Sequence, residues 1–209
     1  MERSGSDMHT MPGRIHGIIR EWISPGSRVL DLGCGDGSLL KDLALTRQVQ
    51  GIGVEISRDM IVRCLAKGIS VYQADIDHGL SQWDDGSFDY VILNATLQVI
   101  HRPHEIIREM LRVGKKAVIS VSNFGFVRNR VRVLFDGRIS RDTRLSGSWH
   151  DTPVIRFVSL SEFIRSLREM DVETMDARYF LPMGKVSSRR TMLDNLLVKE
   201  AVFLLERSS

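Results

Sequence analysis

Apolar residues recur along this chain in two alternating rhythms. In "GRIHGIIREWI", Ile15, Ile18, Ile19, Trp22 and Ile23 fall at helical spacing, and Pro25-Gly26 ends the run. The next segment, "SRVLDLG", is short and apolar, the pattern of a buried strand. "DGSLLKDLAL" returns to helical spacing, with Leu39, Leu40, Leu43 and Ala44 on one face. The alternation continues through a strand in "VQGIGVEIS", a helix in "RDMIVRCLAKG" closed by Gly68, and strands in "ISVYQAD" and "FDYVILNAT". The last of these is nearly all apolar, as strands covered on both faces of a parallel sheet are. "PHEIIREMLRV" predicts a helix with Pro103 in its first turn, where the missing N–H costs least, and "KKAVISVSN" a fifth strand. This β-α alternation predicts an α/β fold: a doubly wound, mostly parallel sheet with helices on both faces.

After Asn123 the alternation stops, and residues 124–157 read as a long, basic, irregular insertion. "SLSEFIRSLREM" then predicts a helix capped by Ser159 or Ser161. "TMDARYFL" and "NLLVKEAVFLLE" read as the last two strands, the final one antiparallel. With no internal repeat or low-complexity linker, one domain over 1–209 is expected, with a polar, mobile tail over about 1–11.

The composition of the 209 residues, 43% hydrophobic and 26% charged, suits a globular domain with a full core. No apolar run approaches the roughly 20 residues of a membrane span, and "MERSGSDMHT" lacks the apolar centre of a secretory signal. Cys34 and Cys64 have neither metal-site nor disulfide-framework spacing, which fits a reducing cytoplasm. A net charge of +3 is only mildly basic, and no nucleic-acid-binding module accompanies it.

The chemistry concentrates in "VLDLGCGDGSLL". Gly33, Gly35 and Gly37 lie between a strand and a helix start, where missing Cβ atoms let a ligand approach the backbone. A dinucleotide fingerprint needs Gly or Ala where this chain has Ser38, and the Lys-Ser/Thr pair of a P-loop is absent. The spacing D-x-G-x-G-x-G from Asp31 instead resembles motif I of class I S-adenosylmethionine-dependent methyltransferases, whose fold is Rossmann-like.

That resemblance implies that Asp31, Gly33, Cys34, Gly35 and Gly37 hold the methionine end of S-adenosylmethionine or S-adenosylhomocysteine. It implies that Glu55, with Ile56 beside it, takes the ribose hydroxyls. Asp75 would then lie near the adenine amino group with Ile76 as a wall, and Asn94 near the transferable methyl. Plainer roles stay open: Glu55 as a charge at a helix start, Asp75 as a loop acid, Asn94 as a satisfied strand-end amide.

Five stretches resemble a narrower family, the methionine biosynthesis protein MetW family: "PGSRVLDLGCGDG", "GIGVEI", "FDYVILNATLQVI", "REMLRVGKKAVISVSNFG" and "SWHDTP". Ser122 stands where that family is expected to have proline, and His150 where it is expected to have tyrosine. The resemblance implies a role in bacterial methionine synthesis beside homoserine O-acyltransferase (MetX), as an accessory or regulatory subunit.

Catalysis stays open between methyl transfer and a non-catalytic role. Methyl transfer needs mainly alignment, plus a base when the acceptor carries a proton. His150 and His101 are candidate bases, with His104 and Asp151 behind them. "HEIIR" has Arg108 where a zinc-binding helix needs its second histidine, so no metal is expected. The chain contains no G-x-S-x-G, so an acyl-transfer serine would have to come from a partner. From Arg128 to Arg144 there are six arginines and two aspartates, interleaved with Val127, Val131, Val133, Leu134 and Phe135. That stretch is either a solvated face or a docking surface. Three readings remain: an accessory subunit, a free-standing small-molecule methyltransferase, and an interaction protein with a vestigial pocket.

Overall fold

The computed structural model describes residues 10–137, 155–188, 191 and 193–208. Its first elements follow the predicted alternation: α1 (Met11–Trp22), β1 (Arg28–Leu32), α2 (Ser38–Arg47), β2 (Gln50–Glu55), α3 (Arg58–Ala66), β3 (Ser70–Gln73), β4 (Phe88–Leu93), α4 (Pro103–Val113) and β5 (Gly114–Ser122). They are followed by α5 (Val127–Asp136), α6 (Leu160–Glu169), β6 (Val172–Phe180), β7 (Val186–Ser187), α7 (Asp194–Leu197) and β8 (Glu200–Arg207). The strand order is β3-β2-β1-β4-β5-β8-β6-β7, a mostly parallel sheet with antiparallel C-terminal strands. This is the expected doubly wound α/β class. Among the described residues no helix is long and apolar enough to cross a membrane.

The chain divides into two compact units, Met1–Asn94 with Glu105–Val118, and Ala95–His104 with Ile119–Ser209. In the first, β1 pairs in parallel with β2 (Leu32↔Val54) and with β4 (Leu32↔Leu93), and β2 pairs with β3 (Glu55↔Gln73). Val29, Leu30 and Leu32 are fully buried, as a strand flanked on both sides requires. Strand order reverses around β1, and in open α/β sheets such a reversal leaves a crevice beyond the carboxyl ends of the strands. Thr10 caps α1 by accepting from the Gly13 N–H at 3.3 Å, and an Arg20–Asp42 pair at 3.3 Å ties α1 to α2. On α4, Arg112 spends its guanidinium on Glu109, Asp85 and the carbonyls of Trp83 and Leu80. One side chain thus orders the turn before β4.

In the second unit β6 pairs antiparallel with β8 and with the two-residue β7. Ser159 caps α6 in a reciprocal capping box with Glu162, which settles the choice between the two serines. The helix buries Leu160, Phe163 and Leu167, and the Phe163 and Phe203 rings lie 5.1 Å apart.

Two expectations are corrected. The stretch after Asn123 is not irregular from its start: α5 forms over Val127–Asp136 and ends at Gly137 in the left-handed region (φ 60°). Its valines weaken helix propensity and hid the period, which the Gly137 cap supports. "NLLVK" is not strand: Asp194–Leu197 form a helical turn, opened by the Asp194 carboxylate accepting from the Thr191 N–H (2.7 Å) and hydroxyl (2.6 Å), and β8 begins only at Glu200. A side chain that bonds backbone locally competes with a sheet ladder. The part of the basic insertion over 138–154 lies outside the described residues.

Candidate functional site

The residues singled out for a ligand all belong to the first unit, at the carboxyl ends of its parallel strands. After β1 the chain passes through Gly33 (φ 71°), Gly35 (φ 56°) and Gly37 (φ 72°), left-handed conformations that glycine adopts without a Cβ clash. The Gly33 and Cys34 N–H groups both donate to the Val54 carbonyl, at 2.8 and 3.1 Å. The Gly37 N–H donates to the Cys34 carbonyl (3.1 Å), and the Ser38 N–H to Asp36 Oδ1 (3.1 Å). These amides hold the loop itself in shape.

Glu55 closes β2 and reaches back to the same loop. Its Oε2 accepts from the Gly35 N–H at 2.9 Å, while Oε1 accepts from the Ile56 and Ser57 N–H groups, also at 2.9 Å. A carboxylate has about four lone-pair directions, so roughly one stays open toward a ligand hydroxyl. Ile56 beside it is 62% exposed, a large apolar side chain left in water at the end of β2.

Asp31, on β1, is buried at 2% exposure, and no cationic side chain pairs with it among the described residues. Burial, and then repulsion from Glu55, push its carboxyl up to about 7. Two carboxylates therefore share the glycine loop. Such a site favours a ligand that brings positive charge and disfavours a pyrophosphate.

Asp75 lies two residues beyond β3. Its Oδ1 accepts from the Asp77 N–H at 3.0 Å, opening a 3-10 turn over Ile76–His78, and Oδ2 is 3.5 Å from His78 Nδ1. Ile76 is half-buried in that turn, and Asn94 is half-buried just after β4. Of the candidate bases, His101 and His104 are exposed in the second unit, and the His101 carbonyl accepts from Arg156. His150 and Asp151, with Trp149 of the same motif, lie outside the described residues.

Two features were missed in the sequence. Cys34 and Cys64, 30 residues apart, bring their Sγ atoms to 3.8 Å, and Cys64 Sγ donates to the Gly35 carbonyl at 3.1 Å. Burial raises both thiols, so they stay protonated. Lys67, just past α3, donates to Asp36 Oδ2 (2.5 Å) and Ser38 Oγ (2.6 Å). Burial works against ionising Asp36, but its hydrogen bonds to Lys67 and Ser38 hold it below the ordinary carboxylate value. No local pattern in the sequence signals either contact.

The loop also depends on a missing side chain in β2. A Cβ on Gly53 would lie 2.4 Å from Cys34 Sγ and 3.0 Å from Cys34 Cβ. Gly53→Ala is expected to lower Tm by several degrees through this overpacking, about 1–3 kcal/mol. Adding Cys34→Gly restores most of that loss, because it removes both clashing atoms. Thermal unfolding of the single and double variants checks it; losses that simply add would count against the contact.

The motif "SNFG" has a structural account in the second unit. Asn123 is 2% exposed and bonds through its carbonyl and amide ends to four backbone groups. A Cβ on Gly125 would meet Asn195 Oδ1 at 2.8 Å.

The family described as methionine biosynthesis protein MetW matches residues 14–205. The bifunctional methionine biosynthesis protein MetXA/MetW of Rhodopirellula baltica is 37% identical over 163 residues, covering 74% of this chain and 26% of that protein. The chain thus spans about a quarter of that relative's length. A ubiquinone biosynthesis O-methyltransferase of Burkholderia pseudomallei is 27% identical over 174 residues, 80% of this chain and 73% of the other. Among solved structures, an S-adenosylmethionine-dependent methyltransferase from Thermotoga maritima aligns with a TM-score of 0.67 at 17% identity, covering 92% of this chain and 87% of the other. The [4+2]-cyclase SpnF aligns with a TM-score of 0.65 at 18% identity, covering 93% and 81%. Identities this low show the fold alone, and a methyltransferase and a cyclase on one fold leave the reaction to the site.

Proposed function

The chain belongs to the methionine biosynthesis protein MetW family, and from that premise we propose that it binds S-adenosylmethionine and serves homoserine O-acyltransferase as an accessory, regulatory subunit in the cytoplasm. The observation that carries the binding claim is the buried Asp31 carboxylate, set beside Glu55 with no cation among the described residues to neutralise it. S-Adenosylmethionine brings a sulfonium and an ammonium, and S-adenosylhomocysteine brings the ammonium.

Asp31 and the Gly33–Gly37 backbone would hold the methionine end, and Glu55 the ribose. Ile56, Asp75 and Ile76 would border the adenine, and Asn94 would lie on the methyl side. When bound, S-adenosylmethionine supplies an activated methyl group. The chain's own contribution is charge, shape and alignment.

Two observations support the accessory role. The Rhodopirellula baltica relative carries the MetXA and MetW names in one polypeptide. The present chain has no G-x-S-x-G serine with which to form an acyl-enzyme. A subunit that senses the methionine-derived sulfonium would report the supply of the pathway's product to the enzyme that begins it.

Titration calorimetry with S-adenosylmethionine and S-adenosylhomocysteine tests the site directly. Glu55→Ala is expected to weaken binding at least tenfold, because it removes the ribose acceptor and frees the Gly35 N–H. No heat with either ligand ends the proposal. Co-purification with homoserine O-acyltransferase, assayed with and without S-adenosylmethionine, tests the role. The likeness to O-methyltransferases favours a second reading, a free-standing small-molecule methyltransferase. Transfer of labelled methyl to an acceptor by the isolated chain would select it.

A further inference from the structure

Helix α5 is anchored through its polar side. Asn129 Nδ2 donates to the carbonyls of Asn123 (3.4 Å) and Phe124 (3.3 Å), and Arg130 Nε to that of Gly125 (2.7 Å). No residue of the helix is buried. Val127, Val131, Leu134 and Phe135 follow i, i+4, i+7, i+8 spacing, so they form one stripe on the side away from Asn129. They are exposed at 39%, 46%, 76% and 77%. At 100° per residue, Arg128 and Arg132 border the stripe on one side and Arg130 on the other. An ordinary amphipathic helix turns its apolar stripe to the core, and this one turns it to solvent.

A groove of about 370 Å³ opens beside the stripe. Phe124, Val133, Leu134 and Phe157 line it, and Arg130 and Glu162 supply its charges. The Phe124 and Phe157 rings lie 4.7 Å apart, so its wall is aromatic. Leu134 belongs to both stripe and groove, so the two adjoin there, with Arg130 on the border they share.

We propose that this surface, the α5 stripe with its groove, docks the acyltransferase through an apolar seam on that enzyme ringed by carboxylates, its anchoring side chain entering the groove. The inference rests on the accessory reading. An apolar centre with arginines at its border is the composition of a protein interface, and a polyphosphate chain would require the arginines at the centre. Self-pairing is disfavoured: Asp136 is the only acid on α5, so a second copy would set three arginines against the same three. In the Rhodopirellula baltica relative one polypeptide carries both names, and such a tether raises the effective concentration of even a small seam.

The test titrates the full chain with the homoserine O-acyltransferase of the same organism. Leu134→Asp together with Phe135→Asp is expected to weaken the complex at least 100-fold, with S-adenosylmethionine binding and Tm unchanged. Arg128→Glu together with Arg132→Glu is expected to weaken it about tenfold and to flatten its dependence on salt. If the unaltered chain binds the acyltransferase and the aspartate variant binds as tightly, the surface is wrong and the accessory reading stands. If the unaltered chain does not bind, the accessory reading fails and this surface with it. Sedimentation showing a dimer that the aspartate variant abolishes makes a second copy the occupant, and overturns the proposal.

Discussion

Asn123→Ala is expected to lower the free energy of unfolding by about 4–6 kcal/mol, much of the margin of an ordinary domain. The amide is 2% exposed. Its Nδ2 donates to the carbonyls of Val198 (2.8 Å) and Asn195 (3.1 Å), and its Oδ1 accepts from the N–H groups of Gly125 (2.9 Å) and Leu160 (3.0 Å). Truncation leaves all four backbone groups without this partner, at roughly 1–3 kcal/mol for each that no water reaches. It also releases the first N–H of α6 and the entry to β8 together, so the loss spreads through the second unit. Asn129→Ala is the matched control: its bonds to the neighbouring carbonyls are 3.3–3.4 Å long, and about 1 kcal/mol is expected. Urea unfolding of both variants measures the difference. A loss below 1 kcal/mol for Asn123→Ala would remove the hub from the account.

On the proposed reading, S-adenosylmethionine is expected to bind about tenfold more tightly at pH 8 than at pH 6, because its cation would need Asp31 ionised and that carboxyl is pushed up to about 7. The same displacement governs stability. With an ordinary value of 3.8 and a folded value near 7, the native chain keeps a proton between pH 4 and 7 that the unfolded chain has released. Stability from this group is therefore fullest at the acid end of that window and falls as pH rises through it. Asp31→Asn removes both effects. It raises stability at pH 8 by about 2–4 kcal/mol, weakens binding there about 100-fold, and leaves the remaining affinity nearly flat in pH. Calorimetry and thermal unfolding at pH 6, 7 and 8 measure the two together. Equal affinity of the two proteins at pH 8 would exclude Asp31 as the cation's partner, whatever happened to Tm.

Much of the fold was legible because its signals are local. The runs in "SRVLDLG" and "FDYVILNAT" are short and apolar, and the helices between them repeat every three or four residues. The glycine spacing was legible for the same reason, since a left-handed turn is a property of the residue that makes it. The ends of the chain were harder. "VRNRVRVLFDG" mixes β-branched residues into a helix, and "NLLVK" is apolar enough for a strand until Asp194 captures the Thr191 N–H. Period alone cannot arbitrate such short runs.

Of the candidate site, the sequence supplied the proposed participants: Asp31, three glycines in five positions, and an acid twenty residues later. It also determined the family, through stretches spread over most of the chain. Their working state was decided by tertiary structure. Only the folded chain buries Asp31 beside Glu55, sets Cys34 against Cys64 across 30 residues, and brings Asn123 to Val198 across 75. It also turned "SNFG" into a packing hub and the apolar stripe of α5 outward. The physical reason is range: backbone preference and period act over a few residues, whereas burial, charge coupling and hydrogen-bond partners depend on which distant strands end side by side.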